Sequence, residues 1–387
     1  MSLQLATFKP APSPRVRLKP PPQKQIPDTP IPPPLPTLDY TIGNPISSVP
    51  VDALDPAQAW SGYIPYADLP QIIDPPSGIL ATANARVASD DYPYHLANNW
   101  VDPYRVERIR KLLTARPLLK PEDMLAIQND THYDFDLVLA HRLAYALDHA
   151  SASTLAQDPK RLHQASDLLR NFNGDMSLNS PAATIVSTTR AELWPMLLAA
   201  QIKAHDGPTA KSKPESLTPL YTWNERNTAL ELLLQHTPAR WLPPTYANWD
   251  DFFTAAVTQA LRDNHAPADL TRWPYGPIHP VEIAHPILGS HSLLSRLLGV
   301  PTGSGLQPNS GDATTVHASG LHFGPSERFT ADLSNPETTQ ANITTGQSGN
   351  PASDHYLDQF QPWLRGTTFT LPLTHPTTLH TLTLTPN

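Results

Sequence analysis

Residues 102–113 read DPYRVERIRKLL, and the character of the chain changes there. Asp is a favoured residue just before a helix, and Pro suits the first helical position because its missing N–H is one that a helix start leaves unbonded anyway. Val106, Ile109 and Leu113 then recur on one face. The stretch therefore predicts a helix capped by Asp102, with that face turned to a core.

Downstream the helical period persists. PEDMLAIQ follows from Pro121, and Phe135, Leu139, Leu143 and Leu147 repeat at i, i+4. ASDLLRNF, TRAELWPMLLAAQIKA with a kink expected at Pro195, NTALELLLQH, and NWDDFFTAAVTQAL capped by Asn248 continue the pattern to about Asp263. After Trp273, Gly, Pro, Ser and Thr dominate, and Phe369, Leu371 and Leu373, then Leu382 and Leu384, alternate as in half-buried strands. Upstream, residues 39–91 are loop-like, with WSGYIPY and GILATANARV between Pro and Gly suggesting short strands and turns. Strands, a helical block over about 103–263 and strands again make an α+β chain.

Composition narrows the function. The net charge is −8, from 27 Lys and Arg against 35 Asp and Glu, so no broad basic surface exists and nucleic acid is not expected as a partner. Cysteine is absent, which removes disulfides and thiolate chemistry. Forty-six prolines in 387 residues are about twice the usual share. Many fall in residues 1–38, read as a Pro-rich disordered tail, with a ligand for an SH3-type domain as the functional alternative. That tail has no apolar stretch of signal-peptide length, and no run approaches a membrane span. Residues 39–387 are taken as one unit.

Motif logic tests the Gly-rich stretch GQSGNPASDHYLDQFQPWLRG, residues 346–366. It has no Lys placed as in a phosphate loop, and Gly346-Gln347-Ser348-Gly349-Asn350 lacks the final Gly of a nucleophile elbow. Ser348 reads as a turn residue, with Gly346 and Gly349 chosen for backbone freedom. His279 and His285, and His132 among Asp130, Asp134 and Asp136, show no metal-ligand spacing. DTHYDFD reads as a solvated helix entry, and Asp250 and Asp251 as first-turn carboxylates favoured by the macrodipole.

Taken in order, eight stretches resemble the penicillin acylase group of amino-terminal-nucleophile hydrolases. They are WSGYIPYADLP (60–70), DPPSGILATANARV (74–87), DDYPYHLANNWVDPYRVERI (90–109), KPEDMLAIQNDTHYD (120–134), LLRNFNGDMSLNSPAA (168–183), WPYGPIHPVEIAHPI (273–287), GPSERFTADLS (324–334) and the Gly-rich stretch above. The resemblance covers the latter part of the family's large β chain. It implies part of a four-layer αββα sandwich with an inserted helical block, and hydrolysis of a small-molecule amide by a terminal Ser whose own α-amino group is the base. It further implies that Asn84 donates its side-chain amide to the oxyanion, and that Arg105 orients it. Removal of an acyl side chain from a β-lactam or related amide is the activity implied. An acyl-homoserine lactone or lipopeptide as substrate, or a non-catalytic fragment of a split or truncated gene, are the alternatives.

The chain departs from the family pattern at the nucleophile. No Ser-Asn-Asn-Trp-like segment occurs: Ala97-Asn98-Asn99-Trp100 carries Ala at the Ser position and lies beyond Asn84, as do Gly289-Ser290 and Gly303-Ser304. Ser2 lacks the context. The expectation is a chain inactive alone and completed by a missing upstream acylase chain. Tyr92-Pro93 is followed by Tyr94, His95 and Leu96, without the carboxylate that helps bind calcium in some relatives, so no cofactor or metal is expected. The family is usually periplasmic or secreted, and the residues leave the compartment open.

Overall fold

The computed structural model describes residues 64–94, 96–97, 100–206, 226–290 and 292–372. The Pro-rich tail, Ser2, most of WSGYIPY and the alternating Leu373, Leu382 and Leu384 lie outside the described residues. The class is α+β with a helical block, as expected.

Helix α1 spans Tyr104–Thr114, α2 Pro121–Gln128, α3 Asp134–His149, α4 Ala152–Leu155 and α5 Pro159–Arg170. Then come α6 Pro181–Asp206, α7 Arg226–His236 and α8 Trp249–Asp263. Their starts follow local chemistry. Asp158 and Asn248 accept the backbone N–H three residues on, and the Asp123 carboxylate reaches back to the N–H of Lys120 at 2.8 Å. Helix α6 runs unbroken through Pro195, which has no N–H to offer the Ala191 carbonyl. Asp102 does not cap α1: the cap position falls on Pro103, and the Asp102 carboxylate instead accepts the backbone N–H and hydroxyl of Thr228 at 3.2 and 2.5 Å. A partner 126 positions away outcompetes the local one.

The main core lies where α3 packs on α5, α6 and α8. Phe135, Leu139, Leu143 and Leu147 are buried there with Leu162, Leu169, Phe252 and Val257, so the i, i+4 stripe points inward as its period requires. A second cluster joins Val106, Ile109 and Leu113 of α1 to Ala83, Ile127 and Val316.

Past the block the described residues form short helices α9 Tyr275–Ile278, α10 Ser292–Leu298 and α11 Phe360–Leu364, and two small antiparallel sheets. Strand β1, Pro280–Val281, pairs with β2, Gln307–Pro308. Strands β3 Glu327–Thr330, β4 Gln340–Ile343 and β5 Phe369–Thr370 lie in the order β3-β4-β5, with Phe329, Ala341 and Phe369 in one cross-strand row. The α10 helix was not expected, since flanking Gly and Ser masked its Leu spacing. The expected strands in GILATANARV are absent: residues 74–87 are irregular, with turns or bends at 74, 76–78, 83 and 84, because no described strand lies alongside to take their backbone bonds. No described helix is long and apolar enough to cross a membrane.

Candidate active site

The site is built on a bend. Asn84 has φ +62°, a left-handed conformation that Asn tolerates better than most residues because its short polar side chain bonds locally. Its neighbour Ala83 is 2 % exposed, so the bend hangs from the second apolar cluster while Asn84 itself is exposed. Val101 donates its N–H to the Asn84 carbonyl at 3.1 Å, tying the bend to the chain that enters α1.

Arg105, in the first turn of α1, is the second member. Val106, Ile109 and Leu113 bury the helix face beside it, and the guanidinium goes under with them at 8 % exposure. Its Nη2 donates to the Ala83 carbonyl at 3.0 Å and to Asn84 Oδ1 at 2.8 Å. A guanidinium is donor only, so this contact decides which end of the amide faces it, and Nδ2 is the end left to donate elsewhere. Burial pushes the Arg105 pKa down. Among the described residues no carboxylate offsets that shift, and the group remains charged because an Arg starts so high.

The other residues singled out from the sequence fall elsewhere. Ser348 is a turn residue: its Oγ accepts the Asn350 N–H at 3.1 Å, and its own N–H donates to the His355 carbonyl. Gly346 is required for space rather than for its φ, since a Cβ there would sit 2.1 Å from the His355 carbonyl oxygen, whereas Gly349 meets nothing within 4 Å. Asp250 pairs with Arg142 at 2.7 Å. Among the described residues no group of three or more His, Asp or Glu is arranged to hold a metal ion.

DTHYDFD is not a solvated entry. Tyr133 and Asp136 are fully buried, and Asp130 takes both Nε and Nη2 of Arg108 at 2.9 and 2.7 Å. Asp136 faces Arg190 of α6 at 2.9 Å, and Arg190 also reaches Asp312 at 2.6 Å. Burial pushes the Asp136 carboxyl up to about 7 despite that guanidinium. Asp312, bonded by Arg190 and Thr314, is held down at about 2. One cation thus serves two carboxylates of opposite disposition. Sequence reasoning missed this cluster, because Arg190 and Asp312 stand 122 positions apart and neither belongs to a motif.

The described residues define an α+β chain that presents one side-chain amide, turned outward by a buried guanidinium. A sequence profile of the family described as penicillin amidase matches residues 26–378, and the chain belongs to that family. The penicillin acylase 2 proenzyme of Pseudomonas sp. (strain SE83) is 30 % identical over 327 residues, covering 81 % of this chain and 39 % of that protein. The acyl-homoserine lactone acylase QuiP of Pseudomonas aeruginosa is 27 % identical over 350 residues, with the same two coverages of 81 % and 39 %. Among solved structures, the thermostable penicillin G acylase from Alcaligenes faecalis has a TM-score of 0.48 at 15 % identity, covering 85 % of this chain and 61 % of that chain. The chain therefore spans about two-fifths of the length of the curated relatives it matches.

Proposed function

We propose that this chain is the oxyanion-binding part of an amide hydrolase, which removes an acyl side chain from a β-lactam or related amide when completed by polypeptide that supplies the nucleophile. The observation that carries the reading is the 2.8 Å contact from Arg105 Nη2 to Asn84 Oδ1. In that reaction a hydroxyl oxygen adds to the amide carbonyl while its proton passes to a base, and the carbonyl oxygen becomes an alkoxide. Asn84 Nδ2–H donates to that oxygen. Collapse of the intermediate expels the amine, which takes the proton, and leaves an ester that water hydrolyses. Because Arg105 holds Oδ1 before substrate arrives, the donor needs no reorganisation as charge develops.

The test is amide turnover by the chain assembled with a nucleophile-bearing acylase segment encoded beside it. Asn84→Ala is expected to lower kcat by roughly 10²–10³-fold, the usual effect of losing one such donor. Unchanged turnover would remove Asn84 from the mechanism, and absence of any turnover with every available upstream segment would favour a non-catalytic fragment. Acyl-homoserine lactones are the second substrate class to assay, since a relative matched over 81 % of this chain carries that activity in its name.

A further inference from the structure

We propose that Arg190 is a positioning residue for Asn84, acting through Asp312 to fasten the turn on which the seat of Asn84 and Arg105 rests. This rests on reading Asn84 as the amide donor. Arg190 belongs to α6, in the helical block, and touches neither Asn84 nor Arg105. Its Nη2 donates to Asp312 Oδ2 at 2.6 Å. The other oxygen of Asp312 accepts the Thr314 N–H at 3.1 Å and the Thr314 hydroxyl at 2.7 Å. The carboxylate therefore joins α6 to the loop that follows it.

That loop is closed on itself. The Asp312 N–H donates to Thr315 Oγ1 at 2.9 Å, the Thr315 hydroxyl donates to the His317 carbonyl at 2.8 Å, and the Ser319 N–H donates to the Asp312 carbonyl at 3.1 Å. Gly311 has φ +83°, and a Cβ there would stand 2.5 Å from the His317 oxygen, so the turn closes only around glycine. Tyr275 adds a hydroxyl bond to the Gly311 carbonyl at 2.8 Å.

Two contacts carry the turn to the site. Val316 packs in the same apolar cluster as Ala83, Val106 and Ile109, beneath the bend that carries Asn84 and the helix that carries Arg105. The His317 N–H donates to the Asp130 carbonyl at 2.9 Å, and the Asp130 carboxylate grips Arg108 with both oxygens, one turn beyond Arg105 on α1. The Arg190 guanidinium, hydrogen-bonded to Asp312, thus sets where the turn sits, and packed side chains with little freedom to deform pass that placement on.

The experiment is amide hydrogen exchange and side-chain NMR on the full chain and its Asp312→Asn variant. That variant keeps an acceptor for Thr314 while losing the charged partner of Arg190. Exchange at the Val101 N–H, which bonds the Asn84 carbonyl, is expected to rise by roughly tenfold, with protection in α5 unchanged, and the Asn84 side-chain amide signal is expected to shift. Thr314→Val, which frees one of the two bonds to the carboxylate, is expected to act in the same direction more weakly, and serves if Asp312→Asn does not fold. Unaltered Val101 exchange and Asn84 signal in a folded variant would overturn the proposal, as would equal acceleration in α5, which would mean general loosening. Neither readout uses turnover, so an inactive chain with a disturbed Asn84 would refute the proposed activity and leave the positioning intact.

Discussion

Asn84 combines a backbone in the left-handed region with an amide whose two ends are assigned by one neighbour. The two properties separate by substitution. Ala cannot enter that region without a penalty of about 1–2 kcal/mol, whereas Gly enters it freely. Asn84→Gly is therefore expected to be more stable than Asn84→Ala by about 1 kcal/mol in urea unfolding, while both lack the Nδ2 donor and, on the proposed function, are expected to lose turnover alike. Equal stability of the two would mean that the bend relaxes out of its φ of +62°. Arg105 tests the other half of the contact. Lys has three N–H donors but on a rotating ammonium at the end of a flexible stem, so it lacks the rigid plane by which Arg105 fixes the Ala83 and Asn84 oxygens together. Arg105→Lys is expected to lower kcat with little change in KM, because the donor is misplaced in the transition state rather than lost to binding.

Glycines that look alike in the sequence differ once elements pack. Gly346 and Gly349 stand three residues apart in the same Gly-rich stretch. A methyl group at Gly346 meets the His355 carbonyl at 2.1 Å, and one at Gly349 meets nothing. Gly346→Ala is expected to destabilise by about 1–3 kcal/mol, as overpacking against backbone does. Gly349→Ala is expected to be neutral or stabilising by up to about 1 kcal/mol through the unfolded chain. Thermal unfolding of the pair gives the comparison, and similar melting temperatures would contradict the packing of the loop that precedes α11. Helix starts show the same divide. Asn248 caps α8 as its type predicts, but Asp102 abandons α1 for Thr228 of α7. Local propensity yields when a distant donor offers a better bond in a buried setting.

At the scale of the whole molecule, the buried titratable groups set how stability depends on pH. Asp136 is raised from 3.8 to about 7 by burial, so between those values the folded state holds a proton that the unfolded state has released. Its contribution therefore falls as pH rises from about 4 to 7. His317 is lowered from 6.5 to about 3 by burial and by Arg328 beside it. Over that range the unfolded state binds the extra proton, and the His317 contribution is lost as pH falls. Asp312, held at about 2, contributes above 3.8 and fails only in strong acid. Asp136→Asn is expected to remove the downward slope and leave stability rising with pH toward neutrality, and His317→Gln, which keeps an acceptor for Arg328, is expected to flatten the fall on the acid side. Urea midpoints between pH 4 and 8 check both. An unchanged slope in Asp136→Asn would show that Arg190 keeps that carboxylate ionised throughout.

The residue order by itself determined the helical block and the inward stripe of α3, because a period of 3.6 is a local property that any core must respect. It also determined the family likeness, through short stretches kept in order, and with it the attention to Asn84 and Arg105. Only the tertiary structure decided that Asn84 sits at positive φ, and that Asp136, Arg190 and Asp312 share one buried site. Local spacing read DTHYDFD as a solvated entry since it sees only neighbours along the helix. The guanidinium that stands beside Asp136 comes from another helix, and a buried carboxyl beside such a partner is not visible in spacing along one helix.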